Sequence, residues 1–436
     1  MKLIFVSLAA ATLFAQEPPT PSKMVPTPSN LLNEELPKWI KFSFDHRFRF
    51  EHYQSLRYVE GNDDQWLLNR LRASVTLMPT SWLSFTAQAQ DSRVFFKEIN
   101  SGSAPYTNRL DLRMAYVEIG DTAKSRFSAR VGRQELAYGE ERILGASNWG
   151  NTARSFDAAK LIYRQGPIQL DLFSASVVVA QQNGYSPYTP GSNIHGAYLK
   201  WKDFLPKTTL EPYFFWRIGG LGKGDVTGGQ GHQDRKVSGV RLYGDLPNNF
   251  NYVTENVFQF GDLGTSSVRT FGSHLMGRYS IKRWKWNPHV QAEFNYAAGD
   301  KTPGDNRSGT FDQIYPTPHD KTGMADQVGW ENIKDAAAIF DFSPWRNITF
   351  KAQFHDWHLA QARDGVYLTN GNLMYRDPTG HSGTHVGDEL SFGGIYTRGP
   401  QTFGVGYAHL FTGEFLKHFG NGANLNYVYV NAGYRF

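Results

Sequence analysis

The stretch NYVYVNAGYRF, residues 426–436, alternates between two kinds of side chain. One face of an extended chain carries apolar or aromatic residues: Val428, Val430, Ala432, Tyr434 and Phe436. The other is mostly polar: Tyr427, Tyr429, Asn431, Gly433 and Arg435. This period of two predicts a β-strand. It suits a membrane wall with lipid on one side and water on the other, and equally a half-buried strand of a soluble sheet.

The same two-faced pattern recurs along the chain. Examples are residues 40–51, 70–77, 83–89, 110–116, 290–296 and 348–354. In the fourth of these, Leu110, Leu112, Met114 and Tyr116 are expected to share the lipid side. Roughly 18 segments of about 10 to 13 residues show this alternation, close to the length that a tilted strand needs to cross a bilayer.

Composition favours a membrane barrel over helical membrane proteins. Aromatic residues reach 15%, glycine 43 and tyrosine 22, while mean hydropathy is −0.47. No run of about 18 apolar residues follows the N-terminus, which argues against transmembrane helices. Cysteine is absent, so disulfides and thiolate sites are excluded. The net charge of +5 permits an anionic solute without requiring one, and nothing indicates nucleic acid binding.

The connections alternate between short and long. Tight turns fall at 78–82, 164–167, 203–207, 244–249, 342–346 and 397–400, and long connections at 54–65, 135–152, 179–192, 218–233, 299–332 and 358–385. Tryptophans sit near the short-turn ends: Trp39, Trp82, Trp201, Trp284, Trp286 and Trp345. We therefore predict an all-β fold, a transmembrane antiparallel β-barrel of about 18 strands in the bacterial outer membrane, with short periplasmic turns and long extracellular loops.

The N-terminus indicates export. Residues 1–15 read as a signal peptide, with basic Lys2 before an apolar core. Residues 16–38 form a Pro-rich segment, expected to be an extended periplasmic tether, and residues 39–436 form the barrel.

Strand parity places basic residues inside the barrel. Arg47, Arg49, Arg70, Arg72, Arg109 and Arg113 oppose the apolar face. The planar guanidinium binds carboxylates and phosphates in a bidentate manner, which favours anionic solutes. The alternative is that charged residues inside a large barrel pair with one another and serve only solubility and strand register. Arg133 shares the lipid-side parity of Val131, but it lies near the predicted outer end of its strand, where a bulge or an early end of the wall could turn it inward.

Enzymatic and metal motifs are weak. A nucleophile elbow, a P-loop and H-E-x-x-H are absent, so no catalytic residue or cofactor is predicted. His355 and His358 of HDWH would point to opposite faces of a strand, which argues against a metal site. Loop residues Asp305, Asp312, Asp320 and Asp326 could ligate a hard cation, although solvated acids are the more frequent case.

Two stretches carry a family resemblance: VGRQELAYGEERILGASNWGNTARSFDAAKL, residues 131–161, and GTFDQIYPTPHDKTGMADQVGWENI, residues 309–333. They resemble the alginate export family of outer-membrane proteins. The resemblance implies a monomeric 18-stranded barrel with an arginine-lined constriction for a polyuronate. It also makes Arg133 and Arg154 pore candidates, with Glu135 and Asp157 as their counter-charges. Phe436 and Tyr434 resemble the C-terminal signature that the barrel-assembly machinery recognises.

The predicted function is a passive outer-membrane channel for anionic solutes, either a polyuronate such as alginate or small carboxylates. Its predicted partners are outer-membrane lipid, that solute and the barrel-assembly machinery. The alternative is an outer-membrane enzyme or receptor that uses the barrel as an anchor. Energised import would need a plug domain, and residues 17–37 are too short for one.

Overall fold

A computed structural model describes residues 27–98, 106–222, 231–419 and 422–435. The predicted signal peptide, the first part of the Pro-rich segment and Phe436 lie outside the described residues. Within them the fold is almost entirely β-structure.

The strands are β1 Ile40–Gln54, β2 Asp64–Thr80, β3 Leu83–Phe95, β4 Asn108–Ile119, β5 Phe127–Gln134, β6 Phe156–Gln165, β7 Ile168–Val178, β8 Tyr188–Leu205, β9 Thr208–Gly222, β10 Gly231–Leu246, β11 Phe250–Leu263, β12 Ser266–Ser280, β13 His289–Ala297, β14 Arg307–Ser308, β15 Ile333–Trp345, β16 Ile348–Leu359, β17 Gly365–Tyr367, β18 Leu373–Arg376, β19 His385–Arg398, β20 Gln401–Thr412 and β21 Leu425–Arg435. The α-helices are α1 Pro28–Glu35 and α2 Glu414–Lys417, and short 3-10 turns cover Leu56–Tyr58 and Pro247–Asn249.

Eighteen of these strands form one closed antiparallel barrel, as predicted. Each pairs with its sequence neighbour, and β21 closes the barrel by pairing with β1, for example Val430 with Phe50. The remaining three, β14, β17 and β18, belong to loops. Closure leaves no open strand edge, which lipid cannot tolerate.

Apolar side chains cover the outside of the barrel. Residues such as Phe48, Leu71, Phe85, Phe294 and Val430 are exposed, whereas their neighbours along the strand point inward. The six predicted interface tryptophans are all exposed at the short-turn rim, from Trp201 at 36% to Trp345 at 63%. Neither of the two α-helices in the described residues has the length and apolar character that crossing a membrane requires.

The strands reach further than expected at the long-loop rim. β8 begins at Tyr188, β9 extends to Gly222 and β10 begins at Gly231, so the connections predicted at 179–192 and 218–233 are shorter than expected. One connection on this rim, between β11 and β12, is a two-residue turn around Gly264, whose φ of +60° is a conformation that glycine adopts without steric cost.

Two local expectations are corrected. In β4 a bulge opposite Gln88 and Ala89 reverses the parity, so Met114 and Tyr116 do not share the lipid side with Leu112. Part of the expected extended tether is helix α1, which begins where Thr27 accepts a hydrogen bond from the Asn30 N–H. The Asn33 side chain exchanges two hydrogen bonds with the Phe42 backbone, so the helix is held against β1.

Two long loops fold into the barrel. The first inner loop, residues 135–155, joins β5 to β6, and the second inner loop, residues 298–332, joins β13 to β15. Tyr138 of the first loop stacks on Tyr198 and Phe173 of the wall, with ring centroids 4.6 and 5.5 Å away. The buried core of the protein therefore lies inside the barrel, between these loops and the wall.

Candidate functional site

The two inner loops bind each other through their backbones. The Gly145 N–H donates to the Tyr315 carbonyl at 2.8 Å, and the Tyr315 N–H donates to the Ile143 carbonyl at 3.0 Å. The Thr317 N–H donates to the Glu141 carbonyl at 2.8 Å. The two stretches that carry the family resemblance, far apart in sequence, thus form one unit across the lumen.

Wall arginines hold the first inner loop by its carbonyl groups. Arg47 donates to the carbonyl oxygens of residues 148, 149 and 150 at 3.0 to 3.1 Å. Arg70 donates to those of residues 148 and 150, and Arg49 to that of Trp149 at 2.6 Å. Hydrogen bonds from a charged donor contribute about 1.5–3 kcal/mol each. These three predicted pore residues therefore act mainly as loop anchors.

The Asn148 side chain binds two further arginines of the predicted pore lining. Its Oδ1 accepts from Arg72 at 3.0 Å and from Arg113 at 3.4 Å, while its Nδ2 donates to Glu135 at 3.0 Å. Arg113 also pairs with Glu135. Burial by itself raises the pKa of Glu135, but the attraction of Arg113 and Arg72 outweighs it and the net shift is downward. The carboxylate is therefore ionised and balances part of this basic wall.

Arg133 and Asp157 form the expected ion pair, at 2.8 and 3.0 Å, but on the outside of the wall. Arg133 pairs in register with Ala115 and Asp157, on the face of exposed Val131, and Tyr185 covers its guanidinium. Strand parity thus holds here, and the pore roles that the family resemblance implies for Arg133 and Asp157 are corrected. Arg109 is exposed near the long-loop rim, outside the cavity described below.

Arg154 joins the two inner loops. One of its guanidinium nitrogens donates to the carbonyl oxygens of Gly145 and Pro316, both at 2.9 Å. Burial lowers its pKa to about 10, so the group remains protonated at neutral pH. Arg154 therefore brings a positive charge to the junction of the loops, inside the barrel.

A cavity of about 770 Å³ lies between the inner loops, the wall and the loop of residues 360–384. Its charged lining consists of Arg49, Glu51, Arg57, Arg154, Arg217, Arg235, Asp312, His319, Asp326 and Glu331. Five guanidinium groups thus face four carboxylates. The volume of the cavity is sufficient for a small solute, and its lining carries a small excess of positive charge.

Three of these arginines cluster at one wall of the cavity. Arg217 donates to Asp312 at 3.3 Å, and Arg235 lies 3.7 Å from the same carboxylate oxygen. Burial by itself raises the pKa of Asp312, but Arg235 and Arg217 outweigh it and hold the pKa below its ordinary value. Arg154 and Arg217 approach the Tyr315 ring to 5.5 and 4.8 Å. Two cations sharing one carboxylate leave positive charge for a ligand.

Aromatic rings also line the cavity. Trp149 stacks on His319 with ring centroids 3.6 Å apart, and the Arg49 guanidinium lies 3.8 Å from the Trp149 ring. His319 is held in turn by Asp326 at 2.7 Å. Trp149 of the first inner loop is therefore held between His319 and Arg49 at the edge of the cavity.

The four loop acids do not cluster as a cation site in the described part of the chain, and of the four only Asp305 is exposed. Asp312 binds the arginines above, Asp320 accepts from Lys351 and Gln353 at 2.6 Å, and Asp326 binds His319. Asp305 caps the Arg307 N–H at 2.9 Å. Asp312 and Asp320 thus anchor the loop to the wall, and Asp305 and Asp326 bind groups of the loop itself.

Comparison with known families shows to which family this chain belongs. The family model described as "Alginate export" matches residues 38–431, nearly the whole barrel. The chain belongs to the alginate export family. This family and its fold are of the outer-membrane channel type, which places the protein in the bacterial outer membrane. No curated protein matches the sequence.

Solved porin structures share the fold of this alginate export family member. OccK8 (OprE) of Pseudomonas aeruginosa superposes with a TM-score of 0.60 at 11% identity, covering 92% of this chain and 98% of that one. OccAB2 of Acinetobacter baumannii gives 0.58 at 11% identity, with 91% and 98% covered. The structure of P. aeruginosa OccK2 (OpdF) in complex with glucuronate gives 0.59 at 10% identity, with 92% and 98% covered. At such identities the likeness concerns the fold alone.

Sequence reasoning missed Arg217 and Arg235 because it assigned residues 218–233 to a loop and ended the flanking strands early. The alternation of side chains along the two strands could have placed both residues inside the barrel. Arg217 follows the inward-facing Tyr213 and Phe215 in steps of two, and Arg235 shares its face with Arg241.

Proposed function

We propose that this protein is a passive channel for anionic solutes, and that the cavity between the inner loops is its binding station. The supporting observation is that Arg217 and Arg235 share the carboxylate of Asp312 at the cavity, with Arg154 lining the same cavity. Even with Glu331 included, this wall carries three cations against two anions. A solute carboxylate entering here would replace hydration with guanidinium contacts.

The proposed solutes are carboxylate-bearing sugars, either a polyuronate or its small fragments. A planar guanidinium binds a carboxylate through two parallel hydrogen bonds, which suits the arginines that line this cavity. The similar fold of OccK2, whose structure contains glucuronate, is consistent with this class of solute. The nearby acids keep binding weak enough for release, as conduction requires.

In a passive channel, the solute moves down its own concentration gradient. The proposed partners are outer-membrane lipid along the apolar exterior and the barrel-assembly machinery at β21, with the protein acting as a monomer. The inner loops would set the width of the path. The reading of the barrel as an anchor for an enzyme has no supporting observation among the described residues.

Planar-bilayer recording tests the proposal. In a KCl gradient, we expect the wild-type channel to prefer chloride, and an oligogalacturonate to block the current more strongly than a neutral oligosaccharide of equal length. In Arg217→Ala/Arg235→Ala, the blocking affinity should fall by about tenfold or more, since each lost charged contact contributes about 1.5–3 kcal/mol.

The control is Arg93→Ala, which removes one guanidinium from an exposed ion pair with Asp91 on the outside of the barrel. It should leave selectivity and block unchanged. Cation preference in the wild type, or equal block of the wild type and the double variant, would refute the proposal.

A further inference from the structure

A second cluster of metal-ligating side chains lies on the outer face of the barrel, away from the cavity. Asp356, His358 and His385 place their ligand atoms within 4.8 Å of one another. Asp388 adds a fourth group, with its Oδ2 3.5 Å from His385 Nε2. All four are partly exposed. Exposed Phe354 and Leu390, a pair on the same strands, lie just below them on the outer face.

The cluster depends on a bulge that strand parity does not reveal. β16 pairs Asp356 with Asp388 and Trp357 with Gly387, but His358 pairs with His385, which leaves Val386 as an extra residue. The bulge turns His385 to the face of Asp388. His355 points inward and is buried against Asp335, so the second histidine of the site comes from β19 and not from the HDWH stretch.

The distances suit a divalent metal with nitrogen and oxygen ligands. Asp356 Oδ1 lies 3.1 Å from His358 Nε2 and 3.6 Å from His385 Nε2. Ligands of a tetrahedral zinc ion with bonds of about 2.1 Å stand about 3.4 Å apart. Asp356 Oδ1 is also shielded from solvent and accepts no hydrogen bond within the described part of the chain. A bound cation would satisfy this oxygen.

We propose that Asp356, His358 and His385, assisted by Asp388, bind a Zn²⁺-class transition metal ion at the base of the loop of residues 360–384. Imidazole nitrogens with carboxylate oxygens are a typical ligand set for such ions. His358 precedes this loop and His385 follows it, so the metal would fasten both of its ends. The loop contributes residues 367–371 and Leu373 to the cavity, and fastening it would steady that wall.

The test uses the untagged, chelator-treated protein folded in detergent, titrated calorimetrically with Zn²⁺ alone. We expect one ion per chain, and in His358→Ala/His385→Ala an affinity at least about tenfold lower. His381→Ala, which alters an exposed histidine within the same loop, should bind like the wild type. Asp356→Asn, which preserves shape, provides a second variant if the double one folds poorly.

A second readout is cleavage of the loop by trypsin, for which Arg363 and Arg376 are sites. Zn²⁺ should slow cleavage in the wild type and in His381→Ala, but not in the double variant, since an ion that binds the closed loop stabilises it by mass action. Absence of stoichiometric binding by the wild type, or undiminished affinity in both cluster variants, would overturn the proposal.

Discussion

At the residue scale, buried arginines in this barrel divide between two tasks. Arg47, Arg70 and Arg72 are bound to backbone or side-chain oxygens of the first inner loop, so their positive charge fixes a loop in place. Arg217 and Arg235 share one carboxylate and face the cavity. The same residue type on the same face therefore serves structure at one position and is available to a solute at another, according to which acceptors lie nearby.

Asn148→Ala tests the anchoring task. The substitution removes the acceptor of Arg72 and the donor to Glu135, which leaves buried charged groups with fewer partners. We expect a loss of about 3 kcal/mol in the free energy that docks the first inner loop. Larger and noisier single-channel currents should accompany it, together with faster proteolysis of residues 135–155.

The control for Asn148→Ala is Asn251→Ala, which removes a similar side chain bonded to Asp245 at the short-turn rim. It should leave the current unchanged. Indistinguishable currents in the wild type and Asn148→Ala would show that the wall arginines hold the loop through its carbonyl groups alone.

At the element scale, the second inner loop is held to the wall by ion pairs that respond to pH. Asp320 binds Lys351 and Gln353 of β16. Burial by itself raises the pKa of Asp320, but Lys351 and His319 outweigh it and lower the pKa from 3.8 to about 2. A depressed pKa in the folded state means that the ionised carboxylate stabilises the docked loop above pH 4, and that this contribution is lost as pH falls towards 2.

Asp320→Asn should therefore destabilise the protein by about 2 kcal/mol at neutral pH, since one pKa unit corresponds to about 1.4 kcal/mol. The difference from the wild type should shrink as the pH falls below 4 and be mostly lost near pH 2, where about half of the wild-type carboxyl is protonated. Unfolding in denaturant across this pH range measures it. Asp305→Asn, at an exposed position of the same loop, should cause little change at any pH. A difference that is as large at pH 2 as at neutral pH would contradict the ion-pair explanation.

At the scale of the whole molecule, closure of the barrel depends on the last strand. β21 pairs with both β1 and β20, so it satisfies the backbone edges of two strands at once. In lipid an unpaired edge leaves backbone groups without any partner, at a cost of several kcal/mol each.

Deleting residues 425–436 should consequently prevent folding into lipid vesicles. The measurement is the faster gel mobility of unheated, folded barrel in SDS. Deleting residues 27–38, which removes α1 but no barrel strand, should leave the folded band in place. Formation of a stable folded band by the chain without β21 would show that seventeen strands can close by another pairing.

Sequence alone determined the wall of this protein, because a period of two reports directly which side chains face lipid. The 18 strands, the alternating connections and the exposed girdle from Trp39 to Trp345 followed from it. The family motifs indicated in addition that residues 131–161 and 309–333 are functionally important. Parity also placed Arg133 on the outside, where the structure has it, against the expectation drawn from the family.

Only the tertiary structure decided what fills the lumen. Contacts between residues 135–155 and 298–332 join segments more than 140 positions apart, and no local pattern encodes such pairing. Bulges in β4 and β19 shift side chains by one face, which a strict period of two cannot foresee. Whether an arginine anchors a loop or faces a solute depends on the acceptors that folding brings beside it, and those come from distant parts of the chain.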